Sequence, residues 1–136
     1  MIVFLDTSAL IYLLESEEPF RSRVRNRLST LTEQDPALQL AISRLTWLEA
    51  RVGPTKQNQV GLLHAYDGFF ARPDLIWIEL NRDVVELATA IRVSHGLRTP
   101  DALQAASCLQ LGEQHLFMTG DAKFQRVAGL QVEYLN

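Results

Sequence analysis

Short apolar runs alternating with longer amphipathic stretches constrain this 136-residue chain more than any other feature. The runs cover residues 2–5, 38–42, 75–78, 115–118 and 130–134, each of strand length. Between them, spacing of apolar residues at three and four predicts helices over 8–14, 20–32, 44–51, 56–70, 83–95 and 100–111, with a short one from Asp121. Strands that alternate with helices need crossover connections, so the expected architecture is α/β, a mostly parallel five-stranded sheet with helices on both faces. In such sheets ligands sit beyond the carboxyl ends of the strands.

Length and composition fit one domain spanning residues 1–136: 47% of the residues are hydrophobic and 21% charged, values of an ordinary globular protein. The stretches "TEQDPALQ" and "VGPTKQNQ" read as loops within that domain. The first apolar run is far too short to cross a membrane and lacks the basic flank and small-residue cleavage site of a signal peptide, so no membrane association and a cytoplasmic location are expected. The single cysteine, Cys108, falls in an apolar helical stretch and reads as packing. A net charge of −3 argues against binding nucleic acid through a broad basic field, but leaves room for binding through metal ions.

Charge appears where the strands end. In "MIVFLDTSAL" the first run stops on Asp6, followed by the hydroxyls Thr7 and Ser8. Asp6 could cap the next helix or serve a cleft at the strand end; the position suits both. "HLFMTGDAKF" repeats the pattern, with Thr119 and then Asp121 after a strand. In "RTPDALQAA", Thr99 reads as the N-cap, Pro100 as the first helical residue and Asp101 as a first-turn acid favoured by the helix dipole. In "ISRLTWLEARVG" the spacing puts Glu49 on one stripe with Leu45, Leu48 and Val52, where a carboxylate needs a partner. Arg44 or Arg51 could supply it; otherwise Glu49 joins the same acidic cleft.

Four carboxylates at one rim would repel one another unless cations neutralised them. The candidate ligands are all hard oxygens, and the three histidines, His64, His95 and His115, are scattered singly, so the donor set suits magnesium or manganese and not structural zinc. Magnesium held by a few carboxylates commonly shares its shell with substrate phosphates, which points to phosphoryl chemistry without a histidine base.

"FLDTSAL", "ISRLTWLEA", "LRTPDALQAA" and "FMTGDAKF" occur in the order and approximate spacing of the PIN-domain ribonucleases, and over nearly its whole length the chain resembles the VapC toxin branch of that family. The resemblance implies a three-layer α/β/α fold, with Asp6, Glu49, Asp101 and Asp121 as the acidic quartet that binds metal and drives catalysis. Thr7, Ser8 and Thr119 would hydrogen-bond those acids or a metal-bound water. It further implies magnesium- or manganese-dependent endonucleolytic cleavage of RNA, transfer or ribosomal in class, a homodimer, and a cognate antitoxin whose C-terminal tail covers the acidic groove. Asp121 is the least secure ligand, because Gly120 would loosen the turn before it.

Among basic residues, Arg98 stands just before the helix carrying Asp101 and is the candidate RNA contact. "RSRVRNRL" places Arg21 and Arg25 on one helix face and Arg23 and Arg27 on another, a pattern of a solvated helix with Glu15, Glu17 or Glu18 as partners. Trp47, Phe69, Phe70 and Trp77 read as core or interface residues. A receiver-like signalling domain of similar length would need adjacent acids after the first strand, where Thr7 and Ser8 stand, and a dehalogenase-like phosphatase a second acid in place of Ser8. A catalytically inert domain that binds RNA or protein is the remaining alternative.

Overall fold

The computed structural model describes residues 1–15 and 17–136. Five strands, β1 (Ile2–Leu5), β2 (Gln39–Ser43), β3 (Ile76–Ile78), β4 (His115–Thr119) and β5 (Val132–Tyr134), form one sheet in the order β3-β2-β1-β4-β5. Every neighbouring pair is parallel. The helices are α1 (Thr7–Leu14), α2 (Phe20–Gln34), α3 (Arg44–Lys56), α4 (Val60–Phe70), α5 (Arg82–His95) and α6 (Thr99–Leu109), with 3-10 turns at Gly112–Gln114 and Ala122–Arg126. The expected α/β sheet is present, parallel throughout.

Strand alternation explains the three layers. Ile2 and Phe4 of β1, Ala41 of β2 and Phe117 of β4 face one core, shared with Val84, Ala88 and Ile91 of α5 and Ala102, Ala105 and Ala106 of α6. Val3 and Leu5, Leu40 and Ile42, and Met118 face the other, packed against α1 to α4 through Leu10, Val24, Ala50 and Tyr66. Cys108 lies in the first core, and burial pushes its thiol pKa up, so packing is its role. Among the described residues no helix is long and apolar enough to cross a membrane.

Element boundaries differ from expectation in two informative places. Helix α3 runs on to Lys56, past the Gly53–Pro54 pair that reads as a loop in sequence. Pro54 lacks an amide hydrogen but sits in the last turn, where only one helical bond is lost, and Gln57 N–H still donates to Gly53 O at 3.0 Å. The chain breaks instead at Asn58, whose φ of 54° is left-handed. Helix α6 begins at Thr99 with Arg98 as N-cap, and the Thr99 hydroxyl accepts from Arg92 Nη1 at 2.8 Å, so Thr99 does not cap the helix.

Crossovers β1–α1–α2–β2 and β2–α3–α4–β3 build one half of the sheet, and the β3–α5–α6–β4 crossover returns to the opposite side of β1. The strand order therefore reverses at β1. The crevice outside the carboxyl ends of β1 and β4 is where such a sheet receives a ligand.

Candidate active site

Asp6 sits at that reversal. Its backbone N–H donates to Met118 O at 3.2 Å, prolonging the β1–β4 pairing by one residue. Its Oδ1 accepts from Ala9 N at 2.9 Å and from the Ser8 hydroxyl at 2.7 Å, and its Oδ2 accepts from the Thr119 hydroxyl at 2.5 Å. Asp6 is thus an N-cap and a strand-end acid at once; the two readings do not compete. The carboxyl is only 4% exposed, and among the described residues no cation pairs with it. Desolvation pushes its pKa up to about 6, against the lowering effect of the bonds from Thr119, Ala9 and Ser8, with the Asp121 charge adding to the rise. Oδ2 keeps one lone-pair direction without a protein donor.

Glu49 reaches the same place from α3. Its Oε1 accepts from the Thr7 hydroxyl at 2.7 Å and from Gln104 Nε2 at 3.1 Å. Gln104 Nε2, with two hydrogens to share, also lies 3.1 Å from each of the Thr7 and Thr46 hydroxyls, so α1, α3 and α6 meet at one polar knot. Neither candidate arginine pairs with Glu49: Arg44 forks onto Glu79 at 2.7–3.2 Å, and Arg51 lies 3.8 Å from Asp67. The expected apolar stripe is also displaced. Leu48 and Val52 are 61% and 58% exposed, while Thr46, Ala50 and Pro54 form the buried face. Small residues and a hydroxyl face inward because α3 packs closely on α1 and α6 there, a demand that hydrophobic spacing does not register.

Asp101 and Asp121 meet through a third residue. Lys123 Nζ lies 2.8 Å from Asp101 Oδ2 and 2.9 Å from Asp121 Oδ2. Asp121 caps the 3-10 turn, its Oδ1 accepting from Lys123 N at 3.0 Å, and its own N–H donates to the Thr119 hydroxyl at 3.1 Å. Partial desolvation would raise the Asp121 pKa, but the bonds and charge of Lys123 together with Arg126 hold it below the usual range. Gly120 does not loosen this turn. A Cβ at Gly120 would stand 2.5 Å from the Tyr12 ring, and its N–H donates to Ser8 Oγ at 3.0 Å, so the missing side chain admits a close approach and fixes the segment.

A ring of contacts joins all four acids: Glu49 to Thr7, next to Asp6; Asp6 to Thr119; Thr119 to Asp121; Asp121 through Lys123 to Asp101; and from Asp101 one helical turn along α6 to Gln104, which returns to Glu49. Each hydroxyl singled out in sequence, Thr7, Ser8 and Thr119, holds an acid. Among the described residues no three acid, histidine or cysteine side chains are gathered in coordinating geometry. The donors nevertheless fit a hard cation: all are carboxylate oxygens, Asp6 is buried without a countercharge, and an ammonium stands between Asp101 and Asp121 as a cation would.

Thr46, Gln104 and Lys123 belong to this network but not to the sequence reading. Gln104 carried no local signal: α6 is buried over most of its surface, at Ala102, Ala105 and Ala106 as well as at Gln104, Ser107 and Cys108, so spacing does not single out the amide. Arg98 is exposed and forms no ion pair among the described residues. In the arginine run, Arg27 pairs with Glu133, Arg21 donates to Leu14 O, and Arg23 lies over Phe20. The suggested partner Glu18 instead accepts from Ser22 N, and Glu15 accepts from the Tyr66 hydroxyl.

The family model of the PIN domain matches residues 3–130. No curated protein sequence matches the chain. Among solved structures, VapBC2 from Rickettsia felis, bound to a DNA fragment from its promoter, is similar over 100% of both chains with a TM-score of 0.78 at 20% identity. A toxin–antitoxin complex from Klebsiella pneumoniae is similar over 98% of each chain, TM-score 0.71, at 25% identity. Mycobacterium tuberculosis VapC20, described as a Sarcin-Ricin loop cleaving toxin, covers 90% of this chain and 92% of its own, TM-score 0.70, at 16% identity. With the model spanning all but the two ends and an acid at the carboxyl end of β1 at the point where strand order reverses, the chain belongs to the PIN-domain family.

Proposed function

We propose that the chain is a metal-dependent endoribonuclease, the toxin of a toxin–antitoxin pair. The observation that carries the reading is the contact ring, which links four carboxylates from separate segments through hydroxyls, an amide and Lys123 beside the reversal point of the sheet. The family match and the likeness to VapC toxins, one described as cleaving an RNA loop, favour the same activity.

In this reading Asp6, Glu49, Asp101 and Asp121 hold magnesium or manganese. When bound, such ions would lower the pKa of water and neutralise charge on the phosphate under attack and on the oxygen that leaves it. The chain's own work is positional. Ser8 and Thr119 fix both oxygens of Asp6, Thr7 and Gln104 fix Oε1 of Glu49, and Asp121 is set by the backbone of its turn. Arg98, exposed and one residue before α6, would meet a phosphate of the RNA, of transfer or ribosomal class. An antitoxin tail would cover the acidic groove, two copies of the chain would associate, residues 1–136 would act as one domain, and the cytoplasm is where its substrate lies.

The test is cleavage of total RNA by the purified, partner-free protein with magnesium or manganese against chelator. The expected result is metal-dependent cut sites that disappear with Asp101→Asn, while circular dichroism shows the variant folded. Absence of cleavage with either metal across total RNA would favour an inert binding domain.

A further inference from the structure

Among the described residues, the Lys123 ammonium is the cation that contacts acids of the ring directly. It stands 2.8 Å from an oxygen of Asp101 and 2.9 Å from an oxygen of Asp121, and these acids come from segments far apart in sequence, the start of α6 and the turn after β4. The lysine is itself on that turn, two residues after Asp121, so its backbone N–H and its side chain bind the same residue from two directions. All three side chains are partly exposed, at 32%, 24% and 43% for Lys123, Asp101 and Asp121, so the pair is neither sealed nor freely solvated. A lysine ammonium is a compact point charge, closer to a hydrated metal ion in character than the planar guanidinium of arginine.

We infer that Lys123 is a resident counter-cation that a divalent ion must displace from Asp101 and Asp121, and that this displacement sets the metal affinity of the site. The inference rests on the metal-binding reading of the acids proposed above. With the metal absent, the ammonium keeps two carboxylates together that would otherwise repel; with the metal present, the two cations compete for the same two oxygens and repel each other across them. Lys123 thereby restricts the site to conditions in which divalent ions are abundant. Two other features carry less. The apolar surface around Trp47, Leu48 and Val52 has nothing against it that identifies an occupant, and the polar knot at Gln104 needs no role beyond holding Glu49.

The test is calorimetric titration of manganese into the metal-stripped full chain and into Lys123→Met, with Arg126→Met as a control that removes a nearby positive charge not in contact with Asp101 or Asp121, and thermal melts of each protein in chelator. Lys123→Met is expected to bind manganese about tenfold more tightly than the unaltered chain, with Arg126→Met changed by less than about twofold, since a removed contact cation matters more than a removed distant one. In chelator Lys123→Met is expected to melt below the unaltered chain, and to gain more than that chain does when manganese is added. Should Lys123→Met not fold, Lys123→Gln replaces it with the same expectations. Unchanged or weaker manganese binding by the lysine variant, or equal gains in both variants, would overturn the inference while leaving the metal-site reading in place. No manganese binding by any of the proteins at millimolar concentration would overturn both.

Discussion

A carboxylate buried at the end of β1 carries a cost that is measurable. Because the pKa of Asp6 is raised from 3.8 to about 6, the folded metal-free protein resists ionising it. The unfolded chain ionises the group as pH rises above its ordinary value, so folding stability is highest below that value and is lost as pH rises toward 6, then levels off. The loss amounts to about 2–3 kcal/mol. Asp35, Asp74, Glu79 and Asp121 have lowered pKa values and act in the opposite sense, but their stability is fully present above about 4.5, the ordinary glutamate value, so it does not vary through the window where Asp6 titrates. In chelator, urea denaturation at pH 4.5 and pH 7 should show a smaller fall in stability for Asp6→Asn than for the unaltered chain; equal falls would mean that Asp6 does not titrate there. At this scale the acids and their hydroxyls were legible, because each interrupts an apolar run or sits on a helix start. Lys123 and Gln104 were not, because their roles depend on which distant segments fold beside them.

Elements are held by alternation and by aromatic packing across it. Phe117 of β4 is fully buried, its ring 5.5 Å from Phe4 of β1 and 4.7 Å from Phe124 of the 3-10 turn that follows Asp121. That stack ties two central strands to the turn presenting the fourth acid. Phe117→Ala should cost about 3–5 kcal/mol in urea denaturation, the usual range for emptying such a site. A cost below about 1 kcal/mol would mean that the turn is not anchored by this stack. The strands could be read from sequence as short continuous apolar runs and the helices from apolar spacing near 3.6. The face of α3 could not. Leu45, Leu48 and Val52 form a genuine apolar stripe, yet the side that packs on α1 and α6 is the one with Thr46, Ala50 and Pro54, since close helix packing selects small groups. Arg44 over the Trp77 ring at 3.9 Å, and bonded to Glu79, is likewise a tertiary contact that local spacing left undetermined.

On the scale of the whole molecule, both cores lean on one sheet, so they should unfold together. Thermal or urea denaturation is expected to show a single transition by far-UV circular dichroism and by tryptophan fluorescence. Manganese should move that transition upward by RT ln(1 + [L]/Kd), about 2.7 kcal/mol at a hundredfold excess over Kd, and chelator should return it. Coincident transitions without any metal shift would support the common fold and remove the metal from the proposed function. The amino-acid sequence by itself determined the succession of strands and helices and the acids at the strand ends, because these follow from short apolar runs, from helical period and from the cost of placing charge in an apolar run. Only the tertiary structure decided that β1 lies between β2 and β4, that Gly120 admits the Tyr12 ring, and that Lys123 stands between Asp101 and Asp121. Those are contacts between segments far apart in the chain, and their energies exist only once the sheet has brought the segments together.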